Sequence, residues 1–562
     1  MNEVLRVLFG LLGGLAIFIY GMNMMSDCLQ KAAGEKMRTI LALLTKNPVL
    51  GVLAGALTTA VLQSSSATTV MAIGFVSAGL MNLPQAISII IGANIGTTMT
   101  AQIIAFKLSD YIYAIIFIGF IISFFTKNEK VRSIGQTIFA FGLLFLGIDT
   151  MGSVMKPLAS SAVFTHMIEK VAGVPVLGVL TGTLMTLVVQ SSSATIAVLQ
   201  NFASQAGADG VTSVIGLAGA IPILLGDNIG TTITALLASV GQTKDARRTA
   251  LAHCIFNISG CVLFLFLLKP FTYAVQALSP KGPEIEVISR QIANAHTMFN
   301  VIMTLIWIPL IGVMVKIVMA LIPDGKKADI PNSVPMYLDS RLVSQPTAAL
   351  QLVTKEFGRV IEMLKDNMNH MIISIENSSE AEMERVIEKS SDMNQLYRQI
   401  NTYFAELFAS GNLTEEQANM TAGIMYIFDD VDRMNDLTGI MCSSVLHEKQ
   451  KGREFTADAA KSICEGLEVI EKMYINVTDL LMNGGTENIS SLYEQKEEAL
   501  DLGIRMRKAH VKRVKNGQCD ARKTEVFNAM IHNIDRMGNC CVNIADAIRE
   551  ADGTSLLPNI DD

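Results

Sequence analysis

The string Gln-Ser-Ser-Ser-Ala-Thr occurs twice in this chain, at residues 63–68 and 190–195, both times inside a run of apolar residues. That placement constrains the fold more than any other feature. In hydrocarbon an unpaired backbone group costs several kcal/mol, so polar, helix-interrupting sequence survives there only where it lines an interior cavity. The surroundings of each string are duplicated too. Pro48-Val49-Leu50-Gly51-Val52-Leu53, Gly55 and Thr59 precede the first, and Pro175-Val176-Leu177-Gly178-Val179-Leu180, Gly182 and Thr186 precede the second, 127 residues later. Downstream, Gly92-Ala93-Asn94-Ile95-Gly96-Thr97-Thr98 is echoed by Gly226-Asp227-Asn228-Ile229-Gly230-Thr231-Thr232, and upstream Gly21 and Met25 align with Gly147 and Met151. Three blocks in one order identify a duplicated unit. A shorter echo, Arg247-x-x-Ala250-x-Ala252-His253-x-x-Phe256-Asn257 against Arg290-x-x-Ala293-x-Ala295-His296-x-x-Phe299-Asn300, extends it in rearranged order.

With 562 residues, 50% of them hydrophobic, and a mean hydropathy of +0.41, the chain is too apolar for an ordinary soluble protein. Apolar segments fall at roughly 4–26, 47–80, 84–106, 111–126, 134–155, 173–205, 211–240, 250–269 and 295–322. A spanning helix needs about 20 residues, and several of these runs are longer and broken by Gly, Ser, Thr, Asn or Pro. They are predicted to be broken helices or re-entrant hairpins, which leaves the span count open. The first, from Val4 to Met24, reads as a membrane helix rather than a signal peptide, because no small-residue cleavage site follows it.

Charge divides the chain. Residues 1–322 hold 18 Lys and Arg against 12 Asp and Glu, and residues 323–562 hold 26 against 39. A membrane domain followed by an acidic soluble domain is the expectation. After Pro323, Pro331 and Pro335 the pattern turns amphipathic, with Val353, Phe357, Val360, Leu364, Met368 and Met371 at helical spacing, then Met393, Leu396, Ile400, Tyr403 and Leu407. Five of the eight cysteines lie in this part, without metal or redox spacing, which suits a reducing cytosol.

Gly92, Gly96, Gly226 and Gly230 are predicted to break their helices, turning Asn and Thr side chains toward an interior site. Carriers built from two repeats offer half-helix N-termini to anionic substrates and use unwound carbonyls and hydroxyls for Na⁺. Serine and threonine hydroxyls serve both ligands, donating to an oxyanion and accepting toward a hard cation. Neither serine block holds a Lys or Arg, so an anion there needs co-bound cations for charge balance. The alternative is that Ser, Thr and Gly only permit close helix packing. Asp227 is the single acid in these motifs, a candidate Na⁺ ligand, proton carrier or structural partner. His253 and His296 could relay protons, although their repeated Phe-Asn context favours packing and hydrogen bonding. There is no phosphate-binding G-x-x-x-x-G-K-[ST] loop, no H-E-x-x-H and no G-x-S-x-G, so nothing points to an enzyme and uphill transport must be secondary.

Together the paired serine strings, the Asn-Ile-Gly-Thr-Thr blocks and the Ala-His-x-x-Phe-Asn motifs of residues 1–322 resemble the type II sodium-phosphate cotransporter family in its bacterial form. The resemblance implies inverted repeats, re-entrant hairpins carrying the serine strings, and Na⁺-driven uptake of inorganic phosphate. It places the site at Gln63, Ser64, Ser65, Ser66, Thr68, Gln190, Ser191, Ser192, Ser193 and Thr195, with Asn94, Thr97, Thr98, Asn228, Thr231 and Thr232 as lining candidates. Asp227 departs from the more usual neutral residue there, which bears on ion stoichiometry and electrogenicity.

The remainder is similar to PhoU, whose two three-helix halves each carry an (E/D)R(I/M)GD-like motif. Here these are Asp432-Arg433-Met434-Asn435-Asp436 and Asp535-Arg536-Met537-Gly538-Asn539. Carboxylates four apart share a helix face, so Asp432, Asp436 and Asp535 could hold a divalent metal; ion pairing with Arg433 and Arg536 is the alternative. The expected protein is all-α and polytopic: a transmembrane domain at 1–322, its repeats at about 1–130 and 131–322, a linker at 323–344 and a cytoplasmic PhoU-like bundle at 345–562. Its setting is the plasma (inner) membrane and its cofactor Na⁺. Nucleic acid is not expected, while a homodimer and the partner of the second domain stay open. Two other functions remain: transport or export of another oxyanion, and a membrane-anchored phosphate-signalling module.

Overall fold

The computed structural model describes residues 3–42, 47–106, 108–159, 173–207, 209–324, 331–483 and 489–550, so part of the expected linker at 323–344 lies outside the described residues. Among these residues there are helices and no strands. The chain separates into two compact units, Met1–Lys326 and Lys327–Asp562.

In the first unit, helices α1 (Glu3–Ala42) and α6 (Glu129–Ala159) pack along their length, with α5 (Ile112–Phe125) on the other side of α6. The hairpin α2 (Pro48–Leu62) and α3 (Ser65–Ser77) precedes the long helix α4 (Leu83–Ile104). A second hairpin, α7 (Pro175–Val189) and α8 (Ser192–Ala203), precedes the long helix α9 (Gly216–Ser239). Helices α10 (Lys244–Phe266), α11 (Leu268–Leu278), α12 (Glu284–Trp307) and α13 (Ile311–Leu321) complete the unit. Local chemistry sets the starts: Pro48 and Pro175 occupy first turns, where the missing N–H costs nothing. Asn82 and Gln85 form a reciprocal capping box at the head of α4.

Five described helices are long and apolar enough to cross a membrane, and six if α12 and α13, bent by 84° at their junction, count as one span. Large apolar side chains on α5 (Tyr113, Phe117, Phe124) and α7 (Val176, Leu184, Val188) face outward without cover, as helices bathed in lipid tails can.

The expected helix breaks at Gly92, Gly96, Gly226 and Gly230 do not occur; α4 and α9 run through all four. These glycines are contact points instead. Gly51 of α2 lies against Ser88 of α4 and Gly96 of α4 against Ala56 and Thr59 of α2, and the approach is so close that a Cβ on Gly55 would overlap the Ile89 carbonyl and one on Gly92 the Val52 carbonyl. The second copy repeats this: a Cβ on Gly182 would overlap the Ile223 carbonyl and one on Gly226 the Val179 carbonyl. A helix tolerates glycine at about 1 kcal/mol, and between apolar helices the close approach it permits supplies packing that larger residues block.

The second unit is a bundle of α14 (Pro346–Glu376), α15 (Glu380–Ala409), α16 (Glu415–Gln450), α17 (Ala457–Asn483), α18 (Ile489–Lys515) and α19 (Thr524–Glu550). Its core includes Phe428, ringed by Phe357, Tyr397 and Phe404. All eight cysteines of the chain are buried and unbridged.

A methyl group at Gly55 or Gly182 lands on a backbone carbonyl, so Gly55→Ala and Gly182→Ala are expected to destabilise the first unit by about 1–3 kcal/mol or more. Gly13→Ala, with open space around it, should be neutral. The fraction of monodisperse protein surviving a temperature series in detergent separates the two classes; equal survival would refute the packing role.

Candidate functional site

Each serine string sits at the break of a hairpin. Between α2 and α3, Gln63 takes a left-handed backbone (φ 51°, ψ 22°), and between α7 and α8 Gln190 does the same (φ 54°, ψ 24°). Helices commonly stop on such a residue, usually glycine; a residue with a Cβ pays about 1–2 kcal/mol for it. The next residue restarts a helix. Ser64 and Ser191 are N-caps whose hydroxyls accept from the backbone N–H of Ala67 and Ala194, both at 3.2 Å. Ser65 and Ser192, each the first helical residue, are buried, as is Ser193; Ser64, Ser66 and Ser191 are half-buried. Two helix N-termini wrapped in serines are thus placed inside the unit, and the free N–H groups and dipole of such an end attract anions.

A hydroxyl pair closes each hairpin behind the serines. Thr59 Oγ1 donates to Thr68 Oγ1 at 2.9 Å, and Thr186 lies 3.1 Å from Thr195 in the second copy. Thr68 and Thr195 also reach the carbonyls of Ser64 and Ser191, at 3.2 Å each.

The copies then diverge. Asp227 is fully buried; its Oδ1 accepts from Thr186 at 2.6 Å and its Oδ2 has no partner, whereas the first copy has Ala93 at that position. A buried carboxylate without a cation is too costly to persist, so the free oxygen calls for a metal cation or a proton. Gln63 is buried, with its Nε2 donating to the Ala60 carbonyl at 2.5 Å and its Oε1 accepting from Thr100 at 3.0 Å. Gln190 is exposed.

The two halves interlock. Thr234 of α9 donates to Ser66 of the first hairpin at 3.2 Å. Gln200 of α8 donates to the carbonyls of Ala101 on α4 (3.1 Å) and Ser289 on α12 (2.9 Å). Asp227, Thr231 and Thr234, at spacings of four and three, share one face of α9, a polar stripe from Thr186 of one hairpin to Ser66 of the other. Thr97, Thr98, Thr231 and Thr232 bond carbonyls of their own helices at 2.7–3.1 Å. Asn94 and Asn228 bond instead to His253 and His296, at 3.2 and 3.1 Å, so both histidines hydrogen-bond as their context suggested. Sequence reading passed over Thr59, Thr186, Thr100 and Thr234 as site residues. Thr100 and Thr234 could have been found by following the face of Ala93 or Asp227 two turns onward.

The fold gives a multi-pass membrane unit with two serine-capped helix N-termini. The chain belongs to the Na⁺/Pi-cotransporter family, whose profile matches residues 17–153 and again residues 151–279. It is 34% identical over 263 residues to the uncharacterized protein YqeW of Bacillus subtilis (strain 168), covering 47% of this chain and 83% of that one. It is 23% identical over 548 residues, 97% of each chain, to YjbB of Escherichia coli (strain K12), by its name a candidate inorganic phosphate export protein. Sodium-dependent phosphate transport protein 2A of Rattus norvegicus matches at 38% over 97 residues, 17% of this chain and 15% of that one. No solved structure matches the chain.

In the second unit the three expected metal carboxylates do not converge. Among the described residues, no group of three or more His, Cys, Asp or Glu is placed to hold a metal. Asp535 is neutralised by Lys496 of α18, whose Nζ donates to the Asp535 side chain at 2.5 Å and to its carbonyl at 2.7 Å. An ammonium group fills the place a cation would take there. Asp436 accepts from Asn394 at 2.9 Å. Asp432 is half-buried, and burial, then Asp436 and Asp429, push its carboxyl up to about 6. A carboxyl raised above its unfolded value of about 3.9 favours folding when protonated. Its contribution is therefore full below about pH 4 and lost as pH rises through 6. Relative to Asp432→Asn, the wild-type chain should lose second-unit stability between pH 4.5 and 7, by up to about 1 kcal/mol with the carboxyl partly screened by solvent. Calorimetry of both full chains checks this; parallel pH profiles would sink it.

Proposed function

We propose that this protein is a secondary carrier that moves inorganic phosphate together with Na⁺ across the plasma (inner) membrane. The observation that carries the reading is the pair of serine-capped helix N-termini, each hairpin bonded to the polar stripe of α9 through Ser66–Thr234 or Thr186–Asp227, within a member of the Na⁺/Pi-cotransporter family. In this reading phosphate oxygens are bound by the N-terminal N–H groups of α3 and α8 and by Ser64, Ser65, Ser66, Ser191, Ser192 and Ser193, with Gln63 and Gln190 flanking them. Oxygen atoms of Thr68, Thr195, Thr97, Thr98, Thr231 and Thr232 are available to Na⁺, as is the unpartnered oxygen of Asp227. The chain supplies no lysine or arginine within either serine block, so the cations also serve to neutralise the anion. The repeats would lie inverted across the bilayer, each hairpin re-entrant, with carrier turnover exchanging which side reaches the serines.

The second unit, acidic and rich in unbridged thiols, fits a cytoplasmic PhoU-like regulator. A second reading concerns direction: the match to YjbB over 97% of both chains favours phosphate export.

Proteoliposomes loaded with or exposed to radiolabelled phosphate, with Na⁺ gradients of either sign, test coupling and direction together. Na⁺-dependent flux is expected. Absence of Na⁺-dependent flux for phosphate or any other oxyanion would count against the carrier reading. Ser65→Ala and Ser192→Ala should each reduce flux at least tenfold, ~1.4 kcal/mol, in protein that remains folded; flux retained in both would remove the serine strings from the site. Truncation after about residue 340 should leave flux intact but change its regulation, and complete loss of flux from a stably inserted truncation would contradict that division.

A further inference from the structure

The Ala-His-x-x-Phe-Asn motifs are not accounted for by the serine hairpins, yet they build the same buried triad twice. On α10, Asn257 Nδ2 donates to the His253 carbonyl at 3.1 Å, and the His253 ring meets Asn94 of α4 through Nε2 at 3.2 Å. On α12, Asn300 Nδ2 donates to the His296 carbonyl at 3.0 Å, and the His296 ring meets Asn228 of α9 through Nε2 at 3.1 Å. All six side chains are at least nine-tenths buried. In both triads the same atoms are left without partners: the Nδ2 of Asn94 and Asn228, the ring Nδ1 of His253 and His296, and the Oδ1 of Asn257 and Asn300.

A buried polar atom left unbonded costs more than a made hydrogen bond gains. The same atoms are unpartnered in both copies, although their surroundings differ at Ala93 and Asp227. The asparagine is the informative member. With its carbonyl occupied by the imidazole N–H, its amide group is locked in one orientation and offers two N–H donors to nothing in the protein. An unpaired donor suits an anion, and in each copy the donor lies one residue from the stripe face that begins at Ala93 or Asp227 and passes through Thr97 or Thr231.

We propose that His253 and His296 are positioning residues, each holding an asparagine amide (Asn94, Asn228) as a hydrogen-bond donor to an oxygen of the transported oxyanion. This rests on the reading of the serine hairpins as the phosphate site and deepens it. The serines and helix N-termini supply one set of donors, and the two unpartnered amides of α4 and α9 supply another. Each imidazole acts only through its asparagine.

The test is binding of radiolabelled inorganic phosphate to the purified full chain in Na⁺, with choline as control, in three variants of each copy. His253→Leu and His296→Leu remove the bond that orients the amide, and His253→Gln and His296→Gln keep an N–H donor near the same place. Asn94→Asp and Asn228→Asp keep the contact with the imidazole but exchange the amide donor for an oxygen. The Leu and Asp variants should raise the phosphate Kd tenfold or more, with the Na⁺ concentration for half-saturation changed less than threefold. The Gln variants should stay within about threefold of wild type. Leu and Gln variants that behave alike, or Asp variants that bind phosphate as tightly as wild type, would overturn the proposal. If a Leu variant does not fold, the Asp variant of that copy decides. Wild-type binding without flux would sink the carrier reading alone, whereas wild-type flux with unaltered phosphate Kd in the variants would sink only this proposal.

Discussion

Backbone-to-backbone contact between the first arm of each hairpin and the long helix that follows is the constraint on which the rest of the first unit depends. With glycines at Gly51, Gly55, Gly92 and Gly96, and again at Gly178, Gly182, Gly226 and Gly230, helices α2 and α4, and α7 and α9, leave no room for a side chain at the crossing. The register follows from this. One turn beyond Gly182 stands Thr186, and one residue beyond Gly226 stands Asp227; only so short an interhelical distance lets their small side chains meet at 2.6 Å. The same approach sets Gln63 against Thr100. In a medium that offers no water to an unpaired backbone group, a break in a hairpin must find its partners within the protein. At the first break the crossing supplies one in Thr100, and at the second Gln190 stays exposed.

Much of this was legible in the sequence because the chain states its architecture twice. The duplication placed both hairpin breaks, and the serine strings marked the residues at which the helices restart. Glycine was misread because it has two uses in apolar sequence, interrupting a helix and admitting another, and the pattern along one strand of sequence is the same for both. What decides between them is the partner helix, some 40 residues away, whose backbone carbonyls at Ile89, Val52, Ile223 and Val179 fall against the glycines. The Ser66–Thr234 bond spans 168 positions and carries no local mark. In the second unit, Asp535 was read with its own helix in view, and its partner Lys496 belongs to another. The different burial of Gln63 and Gln190 was beyond reach altogether, since the two stand in identical strings.

Similar motifs differ in charge in both units. In the first, a carboxylate appears on one side only, at Asp227, where the other copy has a methyl group. In the second, the motif of α16 keeps Asp429, Asp432 and Asp436 near one another, and the related stretch of α19 answers its acid with a lysine. Backbone geometry survives such exchanges because it is set by glycines, caps and apolar packing. Electrostatics does not, so in the first unit one copy has acquired a demand for a cation that the other lacks.

Gln63 and Gln190 hold a backbone conformation in which glycine would be unstrained. At the first corner the side chain offsets that strain by bonding the Ala60 carbonyl and Thr100. At the second, Gln190 is exposed, so replacing it with glycine should relieve strain there while the same change at Gln63 also removes two hydrogen bonds. Two identical strings therefore answer one substitution differently, and the asymmetry of the copies extends to their corners.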